Sequence, residues 1–350
     1  MESIVELKNI VDGLRKDERD LFCSIFDVNV HSTSIVIPDT FRCRVEEFFG
    51  AGSGDVEGQV VVRVRNKWTL EETLFNSLRA KRPGAGGGCG EEKLRRLIES
   101  SKKGCDFCDP ECFTPEDTFG RIQGRYCITS ANVARYDVLS SLVIFHKHNP
   151  LDFTEEEFCD YIETAFRWFE RARCPEAHLV YPFLMWNCLG RAGASQVHGH
   201  IQVLMSQGYY SKVEQMRLAA VEYQKACKRD YFLSWFLAHR YVGLGVEVEG
   251  VKVFAHLTPV KEREVVMIGD MEGIIRVVFR VLRSFIDKLG VVSFNLGMAI
   301  SKDGEFPLVV RVVDRGGMFN VVSDIGGMEI YGSTVVAQDP YRIIEGLDLG

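Results

Sequence analysis

The chain has 350 residues, 46% hydrophobic and 26% charged, ordinary proportions for a folded globular protein. Its 42 basic and 49 acidic side chains give a formal charge of −7 with no long basic run, which speaks against a strong non-specific nucleic-acid binder. No apolar run approaches the roughly 20 residues of a membrane span, and the amino-terminal segment mixes Glu, Asp, Lys and Arg, unlike a secretory or transit leader. A soluble, cytoplasmic protein is expected. Eleven cysteines, odd in number and scattered, fit reduced thiols with room for a metal pair better than a disulfide framework.

At roughly 150 residues per domain the length predicts about two domains or one large composite core. Residues 1–27 read as one amphipathic helix, with Ile4, Leu7, Ile10, Val11 and Leu14 at helical spacing. Alternation over residues 59–65 predicts a strand. The segment 83–90, PGAGGGCG, lacks the Gly-Lys-Ser/Thr ending of a phosphate loop and reads as a linker. Strands are expected near 120–131 and 138–146, followed by a helix opening at Thr154. There Thr154 and Glu157 match a capping box, and Phe158, Ile162, Ala165, Phe166 and Phe169 share a face. Strands near 178–187 and 197–205 flank the small-residue turn Gly190 to Ser195, and a long helical stretch covers 211–240.

The remaining chain replays that order: strands near 251–257 and 262–268, a helix over 271–289, a strand at 293–297, a turn, and a strand at 307–311. The repetition predicts an α+β protein of two related modules sharing one long, mostly antiparallel sheet flanked by helices. The expected division is an amino-terminal helix and strands over 1–69, a catalytic module over 70–210, and a second, degenerate module over 211–350.

The most informative segment is Gly193-Ala194-Ser195-Gln196-Val197-His198-Gly199-His200-Ile201-Gln202. On a strand, residues two apart share a face, so His198, His200 and Gln202 form a polar row at roughly 6–7 Å intervals. Val197, Ile201 and Val203 face the other way. The backbone N–H groups of the preceding turn can hold an anion, and a neutral imidazole beside bound phosphate is a good nucleophile toward phosphorus. Cys105-Asp106-Phe107-Cys108 is a C-x-x-C, and two thiolates with His148 and His198 would satisfy a tetrahedral zinc ion. Cys112, Cys89 and His146 are alternative ligands.

With H-x-H-x-Q as signature, the chain resembles the galactose-1-phosphate uridylyltransferase branch of the histidine-triad superfamily. Arg79-Ala80-Lys81-Arg82-Pro83, the C-x-x-C, a histidine after a strand, Asn187 and the small-residue turn follow in that family's order. The resemblance covers most of residues 70–335. It implies a nucleotidyltransferase or phosphorylase in which His200 attacks the α-phosphorus of a nucleoside diphosphosugar, with sugar 1-phosphate or phosphate as the second substrate. It further implies phosphate contacts from Gln202 and Ser195, and places Asn187 among the substrate residues. Nucleotide-side basic residues would be Arg79 and Arg82, a hexose contact Glu329, and a structural zinc would sit on Cys105, Cys108, His148 and His198. Homodimers are common in the superfamily, and a homodimer is compatible with this reading.

The chain departs from the galactose-specific pattern in reading His-Gly-His where those enzymes read His-Pro-His. That setting is closer to adenylyl-transferring sugar phosphorylases and diadenosine tetraphosphate phosphorylases, which leaves base and sugar open. Two alternatives stand beside the main reading: a dinucleoside polyphosphate phosphorylase or hydrolase, and a zinc-stabilised nucleotide-binding protein without activity. In the second module the row's place is taken by Leu308 to Arg311, which supplies neither a nucleophile nor a second metal site.

Overall fold

A computed structural model describes residues 2–49, 56–81, 90–319 and 327–350. The first stretch forms two helices, Leu7–Gly13 and Lys16–Ile25, where one was expected. Leu14 is extended, and the Arg15 N–H donates to Glu18 Oε2 at 3.3 Å, so a new helix start is set just past the helix-weak Gly13.

β1 (Phe26–Ser34), β2 (Gly58–Asn66) and β3 (Glu72–Phe75) then pair antiparallel. Nine further strands form the main sheet: β4 (Cys127–Ala131), β5 (Leu139–Phe145), β6 (Tyr181–Cys188), β7 (His200–Ser206), β8 (Gly245–Val248), β9 (Val251–Ala255), β10 (Val265–Gly269), β11 (Phe294–Ala299) and β12 (Leu308–Asp314). β13 (Ser333–Val336) returns to the small sheet and pairs parallel with β3.

The spatial order of the main sheet is β4-β5-β7-β6-β11-β12-β10-β9-β8, antiparallel throughout. About the β6–β11 seam, β4-β5-β7-β6 is mirrored by β9-β10-β12-β11, and each half places one long helix between its second and third strands in chain order. The helices are Glu155–Ala172 and Met271–Arg283. This is the α+β architecture of two related modules in one sheet.

Each helix has a side-chain start signal. Thr154 Oγ1 accepts from the Glu157 N–H at 3.2 Å while Glu157 Oε2 accepts from the Thr154 N–H, and Asp270 Oδ1 accepts from the Gly273 N–H at 2.9 Å. The two helices meet across the seam, Phe279 lying 5.9 Å from Phe153 and 6.4 Å from Phe158. Beneath them Ile201 and Val203 of β7 and Val310 and Val312 of β12 are buried, each contributing about 1.5–3 kcal/mol by leaving water. The stretch expected as one helix over 211–240 is two, Ser211–Cys227 and Tyr231–Tyr241. Lys228 turns left-handed at φ 55°, and Asp230 caps the second helix through the Leu233 N–H.

On β12, Arg311 sits level with Gly297 of β11 and Val266 of β10. Its guanidinium donates to Glu264 and, at 2.8 Å, to Glu71 Oε1, while His256 Nδ1 lies 3.2 Å from Glu264 Oε1. Glu71, Glu264 and His256 are all buried. Burial alone would raise the Glu264 carboxyl, but Arg311 and His256 overcome it and hold it at about 2; Glu71 is lowered in the same contest.

Because breaking such a pair leaves buried carboxylates uncompensated, Arg311→Met should lower stability at neutral pH by about 3 kcal/mol in denaturant titrations. The wild-type contribution is present above the unfolded glutamate value and lost as pH falls toward 2. In the variant the largest opposition to burial is gone and only the weaker pull of His256 remains, so both carboxyls rise and stability should increase from pH 7 to pH 5 while that of the wild type does not.

Candidate active site and metal centre

The metal-type cluster is assembled from three segments. Cys105 and Cys108 flank the short turn Asp106–Cys108, closed by the Cys108 N–H donating to the Cys105 carbonyl at 3.0 Å. Arg121 fixes this loop to the sheet edge, donating to the carbonyls of Pro110, Thr114 and Thr129. His148 follows β5, and His198 lies just before β7.

Cys105 Sγ, Cys108 Sγ and one ring nitrogen of each histidine all lie within 4.8 Å of one another. Individual separations are 3.5 Å for Cys105 Sγ to His198 Nδ1, 3.3 Å for Cys108 Sγ to His148 Nδ1, and 3.2 Å between the two Nδ1 atoms. An ion at ~2.0 Å from nitrogen and ~2.3 Å from sulfur places tetrahedral ligand atoms ~3.3–3.8 Å apart, so the donor set and its spacing fit. Cys112 and His146 are exposed and outside this cluster, and Cys89 lies outside the described residues.

Acceptor-only partners fix both ring tautomers. His198 Nε2 must donate to the Phe145 carbonyl at 2.7 Å. The Ser101 hydroxyl gives its proton to the Ile98 carbonyl and so accepts from His148 Nε2 at 2.9 Å. Each Nδ1 therefore turns a lone pair toward the cluster, the outer support that metal-binding histidines need. Burial lowers both rings, His198 to about 4, and burial raises the Cys108 thiol to about 11.

The same logic governs His200. Its Nδ1 lies 2.8 Å from the His198 carbonyl, which can only accept, so Nδ1 carries the proton and Nε2 the lone pair. Burial depresses this imidazole and keeps it neutral. Nε2 has no partner among the described residues and is not among the atoms sealed from solvent. Phe107, half-buried within the C-x-x-C, meets the His200 ring edge-on at 5.3 Å and packs on Ile128, Leu142 and Ile144. Two residues on, Gln202 shares the face of His200; its Oε1 is buried without a partner, an orphan that points to a ligand.

The turn before the row differs from the amide notch expected over 190–195. The N–H groups of Ala192, Gly193 and Ala194 are spent on the carbonyls of Leu189 and Gly190. Buried Leu189 takes a left-handed φ of 66° so that its carbonyl receives two of them. Free donors lie further on, where the N–H groups of Ser195, Gln196 and Val197 have no backbone partner among the described residues. Ser195 is exposed. Asn187, at the end of β6, is half-buried, and its Oδ1 accepts from Asn295 of β11 at 2.7 Å.

Arg79 is exposed on the turn Ser77–Lys81, and Arg82, with the glycine-rich segment through Cys89, lies outside the described residues. Glu329 sits on the turn Gly327–Tyr331 before β13, paired with Lys261 Nζ at 2.5 Å. The sequence reading missed Phe107, Ser101 and Asn295. Phe107 was visible as the aromatic inside the C-x-x-C, but nothing local marked the other two.

No family model matches the chain. An uncharacterized protein of Archaeoglobus fulgidus is 25% identical over 298 residues, covering 79% of this chain and 87% of that one. Among solved structures, an Arabidopsis thaliana ADP-glucose phosphorylase with bound ADP-glucose superposes with a TM-score of 0.61 at 14% identity, over 81% of this chain and 96% of that one. A GalT-like protein of Arabidopsis thaliana gives 0.57 at 15% identity, over 71% and 93%, and a uridylyltransferase 0.54 at 12%, over 67% and 87%. The chain has the fold of the galactose-1-phosphate uridylyltransferase-like branch of the histidine-triad superfamily.

Within that fold the glycine of His-Gly-His has a local cause. A Cβ on Gly199 would stand 2.3 Å from Phe145 Cδ2, and Phe145 is held by stacking on Tyr161 at 3.8 Å. The Gly199 N–H donates to the His148 carbonyl at 3.2 Å, a bond proline cannot make. Restoring the galactose-type triplet by Gly199→Pro should therefore cost about 2–4 kcal/mol of stability, read as a loss of melting temperature.

Proposed function

We propose that the chain is a nucleotidyltransferase or phosphorylase acting on a nucleoside diphosphosugar, with His200 as nucleophile. The observation that carries this reading is the pairing on one strand face of a neutral imidazole, its Nε2 unpartnered, with the partnerless carboxamide oxygen of Gln202. The ADP-glucose bound by a protein of the same fold makes that compound the first substrate to test.

In the first step the Nε2 lone pair forms a bond to the α-phosphorus, and the bond from that phosphorus to the bridging oxygen breaks. Sugar 1-phosphate departs with the electron pair. A phosphate oxygen, from inorganic phosphate or a second sugar 1-phosphate, then attacks the same phosphorus and returns the electron pair to Nε2. The His198 carbonyl, accepting from Nδ1–H, stabilises the positive charge that the ring gains in between. The Nε2–H groups of Gln202 and the N–H groups of residues 195–197 donate to the non-bridging oxygens, while Gln202 Oε1, which can only accept, is left for a hydroxyl of the substrate.

Zinc on Cys105, Cys108, His148 and His198 would act structurally, pinning the residue two before the nucleophile. The basic residues Arg79 and Arg82 are assigned to the nucleotide side, Ser195 and Asn187 to phosphate, and Glu329 to the hexose.

Incubation with ADP-glucose and UDP-glucose labelled at the α-phosphate should give an acid-labile, alkali-stable protein adduct with one of them. His200→Ala should abolish the adduct and lower turnover about 10³-fold or more. An active chain without an adduct, or an unaffected variant, would remove His200 from the chemistry. Separately, elemental analysis should find one zinc per chain, and Cys108→Ala should lose it together with several degrees of melting temperature, since metal binding adds to folding free energy.

A further inference from the structure

The second module has no nucleophile, yet one of its side chains enters the first module's site. Asn295 of β11 lies directly opposite Asn187 across the seam. Its Nδ2 donates to Asn187 Oδ1 at 2.7 Å and to the Ala192 carbonyl at 2.8 Å, and its Oδ1 accepts from the Arg315 guanidinium.

This chain of bonds has a fixed polarity. A backbone carbonyl only accepts and a guanidinium only donates, so the Asn295 amide can be oriented in one way alone. The Asn187 atom that meets it must then be the oxygen. Consequently the two N–H donors of Asn187 face away from the seam, with no protein partner among the described residues. The β6–β7 register ends with Met185 opposite Gln202, and Asn187 lies two residues beyond Met185 on the same face of β6, as His200 lies two residues before Gln202 on β7.

We infer that Asn295 is a positioning residue: with Arg315 behind it, it sets the Asn187 carboxamide so that N–H groups, rather than an oxygen, face the phosphorus attacked by His200. The same Nδ2 ties down the Ala192 carbonyl of the adjoining turn. The inference rests on the nucleotidyl-transfer reading of His200. It assigns the second module a part in the chemistry as well as in the sheet.

The decisive variant is Asn295→Asp, which keeps shape and the Arg315 contact but cannot donate. Asn187 must then flip to give its own N–H to the carboxylate, turning its oxygen on the substrate. The rate of nucleotidyl-adduct formation should fall by about 10²-fold, the scale of losing one transition-state donor. KM should change less than about threefold, because an interaction strengthened in the transition state is the one removed. Asn295→Ala should be milder than Asn295→Asp; because Asp also sets a carboxylate against the Ala192 carbonyl, the double variant below separates positioning of Asn187 from disturbance of the turn.

In an Asn187→Ala background, Asn295→Asp should cost no more than about threefold further, since the group it positions is gone. Full activity in a folded Asn295→Asp protein, or multiplicative losses in the double variant, would overturn the inference. If Asn295→Asp folds poorly, Asn295→Ser, still able to donate once, must fall between wild type and Asn295→Ala. Should the wild type form no adduct at all, the functional reading has failed. The relay is then read from the side-chain amide resonances of Asn187 in the ligand-free protein, which must shift in Asn295→Asp far more than in Asn295→Ser; equal shifts in the two would overturn it.

Discussion

The site depends on one short hydrogen bond, from His200 Nδ1 to the carbonyl of His198 two residues before it. It fixes the tautomer, aims Nε2 outward, and places the acceptor that offsets imidazolium charge inside the backbone, where it cannot drift. Its geometry is set by Gly199, which the packed Phe145 ring forbids to carry a side chain, and by His198, whose own ring is committed to the metal-type cluster. A member of the metal-type cluster, a packing constraint and the proposed nucleophile thus occupy three consecutive residues. On the proposed reading, an ion held by the cluster would keep that carbonyl still.

The two halves of the sheet use equivalent positions for opposite ends. On β7 the polar row is left short of partners, with His200 Nε2 and the Gln202 carboxamide unsatisfied by protein. On β12 the corresponding face carries Arg311, which is tied to Glu264 and to Glu71 from the loop before β3. Unpaired polar groups cost stability and mark a place for ligand; the Arg311 ion pairs, although its Nη2 stays buried without a partner, fix how the small sheet sits on the large one. The second module is therefore better described as a site filled in by its own charges than as a missing site.

What could be read from the sequence, and what could not, follows the range of the interactions. The C-x-x-C, the alternating row of β7 and the Thr154 cap are patterns of two to four residues, set by strand and helix periods, so their partners are named within the motif. The order of strands and helices in each half was readable for the same reason, although Gly13 and Lys228 each split a helix that periodicity alone ran through. Asn187 and Asn295 are 108 residues apart in the chain and meet only because β6 pairs with β11 in that register. No local signal specifies that pairing. Within the expected 190–195 turn the N–H groups of 192–194 are spent, two of them on the carbonyl of Leu189, whose φ of 66° a leucine does not advertise.

The electrostatics of the site suit a substrate that brings its own charge. His148, His198 and His200 are all driven toward the neutral form by burial, and Phe107, which meets the His200 ring, and Gln202, two residues on along the strand, carry no charge. An imidazole held neutral is ready to attack at physiological pH without first losing a proton. On the proposed reading, a pyrophosphate there would meet oriented N–H dipoles of the backbone and of Asn187, which need no reorganisation as charge develops on the leaving bridging oxygen.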